Sequence, residues 1–282
     1  MKKILFFFLL FLTSFPFLSG QNLKVMTYNI RYANDGDGEN RWQFRKETLA
    51  GVIKFHEPDI FGIQEGLDVQ IKYFDTALVN YRHIGIGRDS AGAGEHADIF
   101  YNIKRFELLK QGMFWLSETP EKLSIGWDAA LNRICTYGLF KDKATGKKVW
   151  FFNTHFDHMG NKARINSAKL IFDKIKSVNP KDKYPVILTG DFNLEPKSDP
   201  IQYLSAVMNN SMYTAKEVFG NTNTFNNFEF NKPLSECIDY IFTSKNSFQV
   251  LKYAVLSDSK NCHYPSDHCP VYAEMKYSGK TK

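Results

Sequence analysis

An α/β protein built of packed layers is the fold class the sequence predicts, and two observations carry that expectation. Short, apolar, β-rich runs recur at residues 23–30, 59–64, 99–103, 133–140, 149–154, 186–189, 237–242 and 270–275. Between some of them lie segments of helical periodicity. Leu49, Val52, Ile53 and His56 share one face of 45–56, and Ile165, Ala168, Ile171, Phe172 and Ile175 share one face of 162–177. The alternation is irregular, which points to layers rather than a simple βα repeat. No repeat, heptad, low-complexity tract or Pro/Gly/Ser-rich linker divides the pattern, so one domain is expected.

Ahead of the first strand run, Lys2 and Lys3 precede an apolar stretch over residues 4–18 and the small residues Ser19 and Gly20. This is the layout of a secretory leader. The stretch is broken by Ser14 and Pro16 and falls short of the ~20 apolar residues of a spanning helix, and no cysteine ends it to accept a lipid. Residues 1–20 are therefore expected to be a signal peptide. The exported chain, 21–282, would be periplasmic or extracellular, with no stable membrane anchor and no obligate protein partner. Removing two lysines takes the formal charge from +6 to +4, which suits a polyanionic substrate but equally sums scattered surface lysines. About 260 residues suffice for one domain with a well-buried core.

Polar side chains fall at telling places. The run 25–28 ends in Asn29, 60–63 in Gln64 and Glu65, 151–154 in His155, and 186–190 in Asp191, Phe192 and Asn193; Asp267 and His268 come just before the last strand run. Sites of α/β proteins gather at strand ends, where a rigid sheet aims side chains into a crevice. Each residue also has a plainer reading: Asn29 and Asp191 as turn formers, His155 as a hydrogen-bonded structural histidine, Glu65 as a solvated loop carboxylate. Asp239 differs, because it sits inside Ile238-Asp239-Tyr240-Ile241, where a charge is costly without a cation or histidine beside it. No serine or cysteine stands in a nucleophile setting, and Cys135, Cys237, Cys262 and Cys269 lack the spacing of a zinc site. The oxygen ligands Glu65, Asp267 and Asn29 suit Mg²⁺, and the set reads as metal-assisted hydrolysis by activated water.

Together, Thr27-Tyr28-Asn29, Ile63-Gln64-Glu65, Asn153-Thr154-His155, Gly190-Asp191-Phe192-Asn193, Ile238-Asp239-Tyr240 and Ser266-Asp267-His268-Cys269-Pro270 resemble the endonuclease/exonuclease/phosphatase superfamily, in family order and over nearly the whole mature chain. The resemblance implies a four-layer sandwich of two packed mixed β-sheets flanked by helices, and a Mg²⁺-dependent phosphoesterase, with Mn²⁺ as a substitute. It implies Glu65 as the main metal ligand, with Asn29 and Asp267 near the ion or its waters. Asp191 would orient or deprotonate the attacking water, Asn193 would hold Asp191 and a phosphate oxygen, and His268, oriented by Asp239, would bind phosphate or handle a proton. His155 matches the deoxyribonuclease branch, where a glutamate pairs with this histidine; Glu95 stands in the corresponding place and would raise the His155 pKa.

The stretch 112–133 looks like that of a secreted bacterial branch of the superfamily. Within and around it, Trp115 and Trp127 are candidates to line a substrate groove, and Arg31, Arg133, Arg164 and His158 to contact a phosphorylated substrate; packing and structural pairing are the alternatives. Phosphodiester and phosphomonoester substrates, nucleic acid or small molecule, stay open, although no dense basic run of the kind nucleic acid demands is present. A non-catalytic binding module on the same fold is the competing class, but such a module should have lost Glu65, Asp191 or His268, and all three are here. Cys262 and Cys269 either close a short ring around Asp267 and His268, or Cys269 is buried as a small apolar residue with Cys262 unpaired.

Overall fold

The computed structural model describes residues 22–278; the expected leader, 1–20, lies outside the described residues. In chain order the elements are β1 (Leu23–Asn29), α1 (Trp42–His56), β2 (Ile60–Gln64), α2 (Asp68–Ala77), β3 (Tyr81–Ile84), β4 (Ile99–Asn102), β5 (Phe106–Trp115), β6 (Ile134–Asp142), β7 (Lys148–His155), α3 (Asn161–Val178), β8 (Val186–Asp191), α4 (Asp199–Val207), β9 (Met208–Asn210), α5 (Ser211–Thr214), β10 (Glu217–Gly220), β11 (Asp239–Ser244), β12 (Phe248–Val255) and β13 (Val271–Tyr277). They form a 7-stranded sheet in the order β10-β12-β13-β1-β2-β4-β3 and a 6-stranded sheet in the order β5-β6-β7-β8-β11-β9. Both are mixed: β1 runs parallel to β2 and β7 to β8, while β13 and β11 pair antiparallel with β1 and β8.

Strand alternation assigns each residue to one of three apolar layers. Leu23 and Val25 of β1, Val149 and Phe151 of β7 and Ile187 of β8 meet between the sheets. Met26 and Tyr28 face outward with Phe61 and Ile63 onto Leu49, Ile53 and Phe74 of α1 and α2. Trp150, Phe152 and Leu188 face the other way onto Ala168, Ile171 and Leu204 of α3 and α4. This is the expected four-layer sandwich. It also explains why these strands read as continuous apolar runs, since both of their faces are buried. Strands and helices with one wetted face, such as β5, β12 and α2, did not stand out in the sequence.

Toward one end, the apolar layer between the sheets gives way to a buried polar one. Gln64 donates through Nε2 to Thr27 Oγ1 at 2.9 Å and Asn153 Oδ1 at 2.7 Å, Asn153 donates through Nδ2 to the carbonyls of Ile63 and Asp98, and Thr189 Oγ1 donates to Asn153 Oδ1 at 3.0 Å. Gly62 makes room for this network, because a Cβ there would stand 2.1 Å from Asn153 Oδ1. Gly62→Ala is therefore expected to cost about 1–3 kcal/mol through overpacking and, beyond that, to disturb the polar network. Thermal unfolding of the purified variant checks this; an unchanged Tm would show that the sheets are not locked here.

Candidate active site

Register assembles the site on top of this polar layer. His155 at the end of β7 lies opposite Asp191 at the end of β8, and Asp239, the first residue of β11, lies opposite Asp191 on its other side. Across the sandwich, Asn29 ends β1 beside Gln64 of β2, with Glu65 following. Asn29 Nδ2 joins the two sheets by donating to Glu65 Oε1 at 3.0 Å and Asp191 Oδ2 at 2.9 Å. Glu65 Oε2 accepts from the Tyr32 backbone N–H at 3.1 Å, and Asp191 Oδ1 from that of Asn193 at 2.8 Å. Arg31, Glu65 and Asn193 hold left-handed backbone, with φ of 52°, 65° and 50°, a strained state for such residues that recurs at functional sites.

Asp239 Oδ2 accepts from Thr224 Oγ1 at 2.6 Å and lies 2.8 Å from His268 Nδ1. Burial works against a charge on His268, but the Asp239 carboxylate, through charge and hydrogen bond, and then Asp191 drive its pKa well above the ordinary value. Its Nε2 lies 3.8 Å from Asp191 Oδ2. Burial, and next the Asp239 charge, push the Asp191 carboxyl up to about 7, with His268 pulling the other way. A buried carboxylate of high proton affinity thus stands beside a buried imidazolium, the pattern of a base and its electrostatic partner.

His155 departs from expectation. Its pKa falls well below the ordinary value because of burial and then the Arg133 and Arg88 cations. Glu95 does approach, with Oε2 at 3.8 Å from Nδ1, but both its oxygens are held by Arg88 at 2.8 Å and the net shift of the histidine is downward. Asn193 Nδ2, which also donates to the Phe156 carbonyl at 3.0 Å, lies 3.1 Å from His155 Nε2. That makes Nε2 the acceptor and leaves the proton of the neutral ring on Nδ1, toward Glu95.

Among the described residues, two sets of side chains bring metal-ligating atoms within 4.8 Å of one another: Glu65, His155 and Asp191, and Asp191, Asp239 and His268. The second set is filled by the imidazolium and its hydrogen bonds. The first is rich in oxygen; Asp267 stands outside both sets but lines the same cleft, its pKa raised by burial against the pull of His268 and further by the Glu65 charge. Crowded, partly buried carboxylates of this kind fit a hard divalent cation.

The other candidates separate. Arg31 lines the cleft, clasped by Asp37 at 3.0 and 2.8 Å and 3.8 Å from Asp267. Arg133 is buried with Nη2 3.2 Å from His158 Nδ1, and Arg164 Nη1 donates to the carbonyls of His158 and Asn193, so these three cluster beside Asn193. Trp115 donates through Nε1 to the Arg88 carbonyl. Trp127 is not among the residues lining the cleft; its backbone N–H is held by Glu118 at 3.0 Å. All four cysteines are free: Cys269 is buried, where Asn226 donates to its sulfur, and Cys262 is exposed. The bridge between Cys262 and Cys269 does not form, since Cys269 points into the core.

Sequence reasoning missed Arg45, which is 4% exposed and donates to the carbonyls of Ile30, Arg31, Tyr32, Asn40 and Pro265. It ties the loop after β1 to the segment carrying Asp267. An arginine in the first turn of an amphipathic helix looks like a surface residue, and only the fold bends carbonyls onto it.

The Endonuclease/Exonuclease/phosphatase family model matches residues 26–268. The chain belongs to this family. An endonuclease/exonuclease/phosphatase family protein from Bacteroides thetaiotaomicron is 40% identical, with a TM-score of 0.87 over 92% of this chain and 99% of that one. A mannosyl-6-phosphatase from Bacteroides thetaiotaomicron VPI-5482 is 41% identical, with a TM-score of 0.86 over 90% and 99% of the two chains. Nocturnin from Rattus norvegicus is 21% identical over 294 residues, 91% of this chain and 66% of that protein; this chain thus spans about two thirds of that relative's length. Among the described residues no helix is long and apolar enough to cross a membrane.

Proposed function

We propose that this protein is an exported, Mg²⁺-dependent phosphomonoesterase of phosphorylated sugars. The observation that carries the reading is the cleft itself, about 530 Å³, where Glu65, Asp191, Asp267 and His268 meet walls bearing Asp37, Glu236, Phe225 and Phe228. Nucleic-acid grooves need clustered cations to neutralise successive phosphates; here the cleft lining sets Arg31 and His268 among carboxylates and aromatic rings. The similarity to a mannosyl-6-phosphatase over 99% of that chain supports the same substrate class.

Glu65, with Asn29 and Asp267, would hold Mg²⁺, whose charge would offset that of the phosphoryl oxygens. Asp191 takes the proton of the attacking water, a role suited to a carboxyl titrating near 7. Asn29 and the Asn193 backbone N–H fix its two oxygens, so its orientation is set before substrate arrives. The His268 imidazolium, locked by Asp239, binds a phosphoryl oxygen through Nε2–H and stabilises the charge that builds up on it. A module that only binds would have no use for a base of this proton affinity beside a buried cation.

Phosphate release from hexose 6-phosphates, compared with cleavage of bis(p-nitrophenyl) phosphate and of an oligonucleotide, tests the reading. Turnover of the hexose phosphates with little cleavage of the diesters is the expected result. The reverse preference would overturn it.

A further inference from the structure

Besides Glu65, Asp191, Asp267 and His268, the cleft is lined by two stretches of chain that serve as its walls. One, after β1, carries Gly36, Asp37 and Asn40; the other, between β10 and β11, carries Asn227, Phe228 and Glu236. We propose that the second wall recognises the sugar portion of the substrate, with Phe228 as its stacking platform and Asn227 and Glu236 as its hydroxyl partners. The proposal rests on the sugar phosphate reading and adds the residues that decide it.

Asn227 and Phe228 are consecutive left-handed residues, with φ of 50° and 59°. A bulky aromatic there is a genuine outlier and persists only where its surroundings over-determine it. Those surroundings are specific. Buried Asn226 accepts from the Phe228 N–H through Oδ1 at 2.7 Å and donates through Nδ2 to the Ser266 carbonyl at 3.0 Å. The backbone N–H groups of Asn226 and Asn227 both donate to the Asp267 carbonyl, at 2.7 and 3.1 Å. The wall is thereby tied to Ser266 and to Asp267, the candidate metal ligand that precedes His268 in the chain, so its place relative to these residues is set by hydrogen bonds to their carbonyls.

Its chemistry matches a neutral, polyhydroxylated group. Phe228 is half-buried, with the Arg45 guanidinium 5.8 Å from its centroid, and as a cleft residue it offers an aromatic surface to the C–H face of a sugar ring. Phe225, edge-on to His268 at 5.0 Å, continues the apolar strip inward. The side chains of Asn227 and Glu236 make no hydrogen bond among the described residues, whereas Asp37 opposite is already clasped by Arg31 and Asn34. Free amide and carboxylate groups beside an aromatic ring accept and donate to hydroxyls, and the carboxylate repels a second phosphate.

Phe228→Gly removes the ring at a position where glycine relieves the backbone strain, and Glu236→Ala removes the acceptor from an exposed site. Each is expected to raise KM for a hexose 6-phosphate about tenfold, and to lower by a similar factor the ratio of kcat/KM for that substrate to kcat/KM for ethyl phosphate, which has no hydroxyls. Circular dichroism and Tm confirm folding. Unchanged KM and ratio in both variants would overturn the proposal, as would an equal loss on the two substrates, which would assign the wall to general catalysis. Failure of the wild-type protein to release phosphate from any sugar phosphate would instead remove the underlying reading, so the two failures are told apart by the protein in which they appear.

Discussion

Asp191→Asn is expected to lower kcat by about 10²–10⁴ on the substrate the enzyme turns over, the usual scale of a general base, while the protein stays folded. The substitution keeps the shape of the side chain but removes a carboxyl whose pKa is pushed up to about 7 by burial and by Asp239. An amide cannot satisfy Asn29 Nδ2 and the Asn193 N–H at once, so one hydrogen bond is lost, at a cost of about 1 kcal/mol. Against that, a buried charge beside Asp239 disappears, and Tm should move by only a few degrees. The same group sets the pH dependence. Because the base must be deprotonated, kcat in the wild-type protein should fall as pH drops through about 7. Stopped or steady-state assays from pH 5 to 9, with Asp191→Asn as the control, check both statements. A folded variant with near-native kcat would remove Asp191 from the mechanism.

Removal of divalent cations should abolish turnover, and Mg²⁺ or Mn²⁺ should restore it. Glu65→Gln should raise the Mg²⁺ concentration for half-maximal activity by at least about tenfold, since even supporting groups of a metal site commonly contribute 10–100-fold. The geometry makes the effect twofold in origin. The variant loses a charge, and its amide also faces a donor, because Glu65 accepts from Asn29 Nδ2 on one oxygen and from the Tyr32 N–H on the other. Isothermal titration of Mg²⁺ into both proteins separates lost affinity from lost chemistry. Full activity after exhaustive chelation would exclude a cation from the reaction.

How much of this was legible in the sequence follows from what each feature depends on. Strands buried on both faces, such as β1, β7 and β8, appear as unbroken apolar runs, and the chemistry-bearing residues Asn29, His155 and Asp191 announce themselves by ending those runs. Asp239 was conspicuous because a charge inside an apolar segment demands a partner, and His268 supplies it at 2.8 Å. Elements with one wetted face carry a weaker pattern, so β5, β12 and α2 emerge only in the folded chain.

By itself the sequence determined the layered α/β class, the inventory of carboxylates, amides and histidines, and their order along the chain, since these follow from composition and local periodicity. Only the tertiary structure decided how they act. Register sets His155 and Asp239 on either side of Asp191, and one hydrogen bond from Asn29 reaches Asp191 across 162 positions of chain. Burial works against a proton on both His155 and His268; Asp239 and Asp191 overcome it at His268, whereas at His155 the Arg133 and Arg88 cations add to it. The pinned pair Asn227 and Phe228 and the carbonyl hub at Arg45 likewise arise from contacts between segments far apart in sequence. Burial and through-space charge are properties of the packed molecule, and no local pattern of residues encodes them.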